Sequence, residues 1–272
     1  MASTTSAEAS EPKSTPELYY ESENPAGQET ILFIHGACGS GSEWKDVIPH
    51  LLLEDYHILL PDLPAHGKSV SIQPFTLDLS AQLILELTDK HAKNGCAHIV
   101  GLSLGAHIVA RIAELAKPTQ ILSLIASGYN TIPKPSYMLS MLAVPTFCAH
   151  HLVNFVMSPK KELAQVQNGE SAYGLISEVA KIIFDPRVLG EVRGKTLVIC
   201  AADKNSWLAR DKPDNAKEFF EKIVDGKENG SRVVAHYAIR HAWHIEEPKL
   251  FADTVSTWVK GEPLDAAFED IE

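Results

Sequence analysis

The chain has 272 residues, a formal net charge of −11 and a charged fraction of 22%. This length can bury a full hydrophobic core, and the apolar fraction of 45% excludes a fibrous or wholly disordered protein. The negative charge argues against nucleic acid and anionic membrane surfaces as partners, because both attract clustered Lys and Arg.

The first 16 residues are rich in Ser, Thr, Glu and Ala and lack the apolar segment of a secretory signal, which predicts a disordered tail. Four cysteines are scattered along the chain, namely Cys38, Cys96, Cys148 and Cys200. Their spacing indicates neither a metal site nor a disulfide framework, so a cytoplasmic location is expected.

Short apolar runs alternate with longer helical patterns, which is typical of a mostly parallel sheet flanked by helices. The predicted strands cover residues 30–34, 57–60, 97–102, 121–126, 196–201 and 232–237, with 17–21 as a candidate leading edge strand. The predicted helices cover residues 41–53, 77–92, 104–116, 215–224 and 249–260. The alternation therefore predicts an α/β fold.

The alternation breaks between residues 129 and 194, which predicts an inserted helical cap. Residues 17–128 and 195–260 would then form the core, and the acidic segment 261–272 is expected to fray. Within the cap, residues 138–157 are uncharged over a length that could cross a bilayer. Pro145, Asn154 and the neighbouring His150 and His151 oppose such a segment, so no membrane span is expected.

The segment Gly101-Leu102-Ser103-Leu104-Gly105 lies between a predicted strand and a predicted helix. A G-x-S-x-G pattern in this context is typical of a nucleophile elbow, a sharp turn that holds the serine hydroxyl out into a cleft. The glycines leave room for the turn, and the start of the helix favours developing negative charge. The alternative is a glycine-bounded turn without chemistry.

Three further segments accompany this elbow. They are Ile34-His35-Gly36-Ala37, Pro61-Asp62-Leu63-Pro64-Ala65-His66-Gly67-Lys68-Ser69 and His241-Ala242-Trp243-His244-Ile245-Glu246-Glu247-Pro248. With the elbow, and in this order, they resemble the α/β-hydrolase superfamily, specifically its branch of small-molecule esterases, lactonases and C–C hydrolases. The resemblance covers roughly residues 28–260. It implies an α/β-hydrolase fold with an inserted cap.

The chain departs from the family pattern at three positions. Ala65 stands where glycine is usual, which puts the local loop shape in question. Arg240 precedes the histidine segment where the family commonly has glycine, and Leu102 precedes the serine where histidine is frequent. None of these changes removes a group that the chemistry needs.

A serine hydroxyl needs a neighbouring base, and the base needs a carboxylate that fixes its tautomer. The resemblance implies that His241 is the base, since the first histidine of the H-x-x-x-x-E-x-P segment is catalytic in the family; His244 is the alternative. Asp203 closely follows a predicted buried strand, whereas three other acids lie in polar segments: Asp185, Asp211 and Asp214. The predicted triad is therefore Ser103, Asp203 and His241, in the chain order that this fold uses.

The resemblance also implies an oxyanion hole formed by the backbone N–H groups of Ala37 and Leu104. His35, Asp62 and His66 are expected to support loops and not to transfer protons. The candidate residues of the substrate pocket are Cys38, Met138, Met141, Phe147, His151, Phe155 and Trp243. The apolar side chains of the cap favour a small hydrophobic substrate, although each could equally pack in a helical core.

The predicted function is hydrolysis of an ester, thioester or lactone through an acyl-enzyme. Serine at the elbow argues against epoxide-hydrolase or dehalogenase chemistry, which needs a carboxylate nucleophile. Two alternatives stay open: the same triad could drive C–C cleavage, cyclisation or lyase chemistry, or the fold could serve as a ligand receptor. No metal-ligand spacing or phosphate-binding loop is present in the sequence, so no cofactor is expected.

Overall fold

The computed structural model describes residues 16–131, 175, 178–182, 189–206 and 210–272. Residues 1–15 of the predicted tail and most of the predicted cap therefore lie outside the described residues. The same holds for five candidate pocket residues, namely Met138, Met141, Phe147, His151 and Phe155.

The described residues form a sheet of eight strands in the order β1-β3-β2-β4-β5-β6-β7-β8. The strands are β1 (Tyr20–Glu23), β2 (Thr30–Ile34), β3 (His57–Pro61), β4 (Ala97–Leu102), β5 (Ile121–Ser127), β6 (Thr196–Ala201), β7 (Arg232–His236) and β8 (Glu269–Asp270). Strands β2 to β7 run parallel, whereas β1 pairs antiparallel with β3 and β8 pairs antiparallel with β7. This confirms the mostly parallel sheet predicted from the sequence.

The α-helices of the described ranges with both ends defined are α1 (Ile48–Leu51), α2 (Leu77–His91), α3 (Leu104–Leu115), α4 (Pro213–Glu221), α5 (Trp243–Glu246) and α6 (Pro248–Lys260). The prediction of a single helix over residues 41–53 is wrong. Two 3-10 turns, Gly41–Trp44 and Leu52–Glu54, flank the short α1. Pro49 lies in the first turn of α1, where it has no N–H to donate and its ring opposes continuation of the preceding turn.

Alternate residues of the central strands point to opposite faces of the sheet, and both faces are covered. In β2, Leu32 and Ile34 join the core beneath α2, α3 and α4, while Ile31 and Phe33 join the core beneath α1 and α6. All four side chains are fully buried. A sheet covered on both faces leaves the carboxyl ends of its parallel strands as the natural place for a site.

The C-terminal segment packs against the sheet, so the expectation that residues 261–272 fray is wrong. β8 extends the sheet beyond β7, and the N–H of Ile271 donates to the carbonyl of Val233 at 3.0 Å. Phe268 is buried, with ring centroids 5.0 Å from His236 and 6.0 Å from Trp243. This one aromatic side chain anchors an otherwise acidic segment.

Trp243 lies in this same core and does not line a pocket wall, which corrects its assignment as a candidate pocket residue. The indole is fully buried and packs at 4.5 Å between ring centroids against Phe251. Its Nε1–H donates to the hydroxyl oxygen of Ser127 at 3.0 Å. The polar tip of a buried indole needs such an acceptor.

Replacing Ser127 with Ala is expected to lower the free energy of unfolding by about 1–3 kcal/mol, because the indole N–H would be left buried without an acceptor. Equilibrium unfolding in urea measures this change. The exposed Ser71→Ala variant is the control and should change stability by less than about 0.5 kcal/mol. An equally small loss for Ser127→Ala would mean that this hydrogen bond does not stabilise the fold.

Candidate active site

Ser103 lies between the end of β4 and the start of α3, with φ of 56° and ψ of −113°. This is a rarely populated conformation for a residue with a side chain, as expected at a nucleophile elbow. The glycines on either side permit it: a Cβ on Gly101 would lie 2.3 Å from the carbonyl oxygen of Gly105, and one on Gly105 would lie 2.3 Å from that of Ile34. The turn therefore has no space for larger residues at these positions.

His241 follows β7 in the chain, and its Nδ1 lies 2.6 Å from Oδ1 of Asp211. The imidazole packs against Gly128, where a Cβ would lie only 2.7 Å from Cε1 of the ring. Gly128 directly follows Ser127, whose carbonyl accepts the N–H of Ser103 at 2.9 Å. The ends of β4, β5 and β7 thus bring serine and histidine to one edge of the sheet.

The acid beside His241 is Asp211, which corrects the predicted pairing with Asp203. Oδ1 of Asp203 accepts the N–H of Asn205 at 2.9 Å, within its own turn. After this turn the chain returns to the end of β6, where the N–H of Asp211 donates to the carbonyl of Ala201 at 2.8 Å. Asp211 Oδ2 accepts the N–H of Ala201 at 2.9 Å, so this carboxylate is the one fixed at the strand end.

Asn130 supports Asp211 and was missed by the sequence analysis. Its side-chain Nδ2 donates to Asp211 Oδ1 at 2.8 Å, and its Oδ1 accepts the N–H of Lys212 at 3.2 Å and Nδ2 of Asn215 at 3.3 Å. Asn130 lies at the start of the predicted cap segment. The carboxylate is therefore oriented from the point where the chain leaves the core.

The surroundings of His241 favour a protonatable base with a fixed tautomer. Burial lowers the pKa of the imidazole, but the charge and hydrogen bond of Asp211, together with the charge of Glu43, outweigh it and leave the pKa raised. An ionised carboxylate only accepts hydrogen bonds, so Nδ1 of His241 carries the proton that faces Asp211. The other ring nitrogen, Nε2, is then the atom that can take a proton.

The two predicted oxyanion donors flank the elbow. Gly36 lies beside Ser103, since a Cβ built on it would be 3.6 Å from the serine Cβ, and Ala37 follows it as an exposed residue. Leu104 is the first residue of α3, where a backbone N–H has no acceptor within its own helix. Such unpaired donors suit a developing negative charge.

The comparisons with known proteins fit this architecture. The model of the alpha/beta hydrolase family matches residues 31–254. The chain belongs to this family. It is 39% identical to a protein described as "AB hydrolase superfamily protein" from Gibberella zeae, over 93% of this chain and 88% of the relative. The resemblance inferred from the sequence motifs is therefore confirmed.

Solved structures of the same fold include a putative non-heme bromoperoxidase, BpoC, from Mycobacterium tuberculosis. It superposes with a TM-score of 0.67 and 17% identity, covering 91% of this chain and 97% of that one. The esterase EaEST from Exiguobacterium antarcticum superposes with a TM-score of 0.65 and 18% identity, over 89% and 95% of the two chains. At these identities the likeness concerns the fold.

Three polar residues of the loops after β2 and β3 have structural partners in this α/β hydrolase, as expected. His35 accepts the N–H of Leu63 on Nε2 at 3.0 Å and donates from Nδ1 to the carbonyl of Gly36 at 2.8 Å. Burial, helped by nearby His66, lowers the pKa of His35 to about 3. Asp62 accepts two backbone N–H groups at 2.8 and 2.7 Å, and His66 donates from Nδ1 to a backbone carbonyl at 2.8 Å.

Two departures from the family pattern receive a physical explanation. Ala65 adopts a φ of 62°, the left-handed conformation that glycine accommodates without strain, so the loop keeps its shape at some cost. Arg240 forms an ion pair with Glu246 of α5 at 2.6 Å. The alternative base His244 is buried, and burial followed by the charge of His241 lowers its pKa to about 3.

Of the candidate pocket residues, Cys38 is exposed beside Ala37, at the rim of the site. In the described ranges, no group of three or more His, Cys, Asp and Glu side chains is arranged to hold a metal ion. None of the helices in the described part of the hydrolase combines the length and the apolar character that crossing a bilayer requires.

Proposed function

We propose that this α/β hydrolase is a serine hydrolase that cleaves an ester, thioester or lactone of a small hydrophobic molecule. Ser103 is the nucleophile, His241 the general base and Asp211 the acid that orients the imidazole. The observation that carries this proposal is the hydrogen-bonded His241–Asp211 pair at 2.6 Å beside a serine held at φ of 56°. Nucleophilic serine catalysis needs each of these groups.

In the acylation step, Nε2 of His241 takes the hydroxyl proton while Oγ of Ser103 attacks the carbonyl carbon. The carbonyl oxygen becomes an oxyanion that accepts hydrogen bonds from the N–H groups of Ala37 and Leu104, each worth about 3 kcal/mol of barrier. The imidazolium then donates its proton to the leaving alkoxide or thiolate as the bond to the carbonyl carbon breaks. Asp211 stabilises the imidazolium throughout this step.

In the deacylation step, His241 takes a proton from water, and the hydroxide attacks the acyl carbon of the ester on Ser103. The tetrahedral intermediate collapses when the serine oxygen leaves and recovers the proton from His241. The product is a carboxylic acid. For a lactone, the same two steps yield an open hydroxy acid.

The substrate class is inferred from two features. The exposed surface at the oxyanion loop carries the small side chains of Ala37 and Cys38. The predicted cap is rich in Met, Leu and Phe. An apolar cover over a polar catalytic group favours a substrate with a hydrophobic acyl or alcohol part. The esterase EaEST, which shares this fold, is consistent with this class.

Covalent labelling tests the nucleophile. We expect a small fluorophosphonate to add one adduct per chain by intact mass, and peptide mapping to assign it to the peptide that contains Ser103. Heat-denatured protein is the control and should remain unlabelled, because serine reacts only when an organised base activates it. A folded protein that forms no adduct, or an adduct on another serine, would contradict the proposal.

Product analysis separates hydrolysis from the same triad acting in C–C cleavage, cyclisation or lyase chemistry. Ester substrates of increasing acyl length should give carboxylic acids, and turnover in ¹⁸O-labelled water should place one ¹⁸O atom in each acid molecule. If Ser103 reacts with the fluorophosphonate but turnover gives no ¹⁸O-containing product, the triad would be active and the assignment as a hydrolase would be overturned.

A further inference from the structure

Glu43 lies in the 3-10 turn Gly41–Trp44, directly after the loop that carries Ala37. Its Oε1 accepts the backbone N–H of Gly36 at 2.9 Å, one residue before the proposed oxyanion donor. The side chain is only 13% exposed, which is unusual for a carboxyl group. A buried acid at this position is not required by the triad.

The carboxyl group occupies the inner side of the loop 36–39. A Cβ on Gly39 would lie 2.2 Å from Oε2 of Glu43, so the chain at this point packs directly against the second oxygen. The N–H of Gly39 donates to the carbonyl of Gly36 at 3.2 Å, which closes the loop as a turn. Glu43 therefore contacts both ends of the turn and restricts the orientation of the N–H of Ala37 between them.

Glu43 also acts on the charge of the site. Two histidines face it: Nε2 of His244 lies 3.9 Å from Oε1, and the charge of His241 interacts with the carboxyl. Burial raises the pKa of Glu43 to about 7, against the lowering effects of the Gly36 hydrogen bond and His241. Because His244 has a pKa lowered to about 3, it is uncharged near neutral pH and does not neutralise the fraction of Glu43 that is ionised there.

His241 consequently has two acids acting on it. Asp211 accepts its Nδ1–H directly, whereas Glu43 acts through space from the oxyanion loop. Among the described residues, the charged groups that act on the imidazole are Asp211 and Glu43, and the charge of His241 acts in turn on His244. A negative charge at Glu43 stabilises the imidazolium that forms when Ser103 is deprotonated.

We propose that Glu43 is a positioning residue of this site, which holds the oxyanion loop through Gly36 and places a carboxyl group beside the chain segment that carries His241 and His244. The effect of Glu43 on catalysis depends on the proposed serine-hydrolase function. Its electrostatic effect on His241 does not, and can be measured without turnover.

The first test is an NMR titration of the His241 imidazole in the native protein and in Glu43→Gln, with the signal assigned from its absence in His241→Asn. We expect the His241 pKa to fall by about half a unit or more in Glu43→Gln, because the amide keeps the hydrogen bond to Gly36 but removes the charge. The control is Glu246→Gln, the same substitution at the last residue of α5, where Glu246 forms an ion pair with Arg240. An unchanged His241 pKa in Glu43→Gln would overturn the proposal.

The second test follows the rate of fluorophosphonate inactivation against pH. The acidic limb should move to lower pH in Glu43→Gln, and the plateau rate should fall less than in Glu43→Ala because the amide still holds the loop. Glu43→Ala loses the hydrogen bond as well, and its plateau rate should fall by about tenfold or more since the oxyanion donor is no longer fixed. Equal plateaus for the two variants would contradict the positioning role.

The outcomes of the two proposals are distinguishable. A native protein that is never inactivated would overturn the serine-hydrolase function, and the titration would still decide whether Glu43 acts on His241. If the native protein and Glu43→Gln are both inactivated and the acidic limbs of their pH profiles coincide, only the role of Glu43 would be overturned.

Discussion

Replacing Ser103 with Ala is expected to lower kcat on ester substrates by about 10⁴- to 10⁶-fold. The variant lacks the oxygen that forms the acyl-enzyme, and only the oxyanion donors and substrate binding would accelerate direct attack by water. Steady-state hydrolysis of a chromogenic ester measures the loss. Because alanine has no γ-oxygen, the fluorophosphonate adduct should disappear as well.

The control for this change is Ser71→Ala, an exposed serine in a different loop, which should retain the native rate. Circular dichroism and thermal unfolding should show that Ser103→Ala is folded, since alanine occupies less space than serine at the same backbone conformation. If Ser103→Ala retained more than about a tenth of the native kcat, Ser103 would not be the nucleophile.

Replacing Asp211 with Asn is expected to lower kcat by about 10³- to 10⁴-fold. An amide in this position can donate a hydrogen bond to Nδ1 of His241, which favours the tautomer whose Nε2 carries the proton and is therefore no base. The variant also loses the charge that raises the pKa of His241, so the acidic limb of kcat/KM should move to lower pH. A pH profile of hydrolysis measures both effects.

The matched control is Asp203→Asn, the same substitution at the acid that the sequence favoured. Its side chain accepts one backbone N–H within a turn, whereas Asp211 accepts the hydrogen bond from His241, so activity should stay within about threefold of native. The opposite result, a large loss for Asp203→Asn and near-native activity for Asp211→Asn, would restore Asp203 as the orienting acid.

The contrast between these two acids shows the limit of sequence reasoning at this site. Asp203 follows β6 closely, and proximity to a strand end is a reasonable criterion when the loop is short. Here the chain makes a turn at Asp203 and returns, so that Asp211 forms two hydrogen bonds with the backbone of Ala201.

Other elements were missed for a related reason. Phe268 anchors the C-terminal segment against Trp243 and His236, but a short acidic stretch with one aromatic residue has no periodicity to detect. Glu43 and Asn130 gain their roles only from the loops folded around them. A lone Glu or Asn in a polar segment predicts nothing by itself.

The sequence by itself determined the alternation of strands and helices and placed Ser103 at the turn between β4 and α3, whereas the choice of His241 as the base came from the family resemblance. The first two follow from local patterns, because apolar runs define the buried strands and the glycines permit the elbow. Only the tertiary structure decided which acid reaches His241, which residues hold the oxyanion loop and which side of the sheet buries Trp243. These outcomes depend on contacts between segments far apart in the chain, and local propensity and spacing do not specify such contacts.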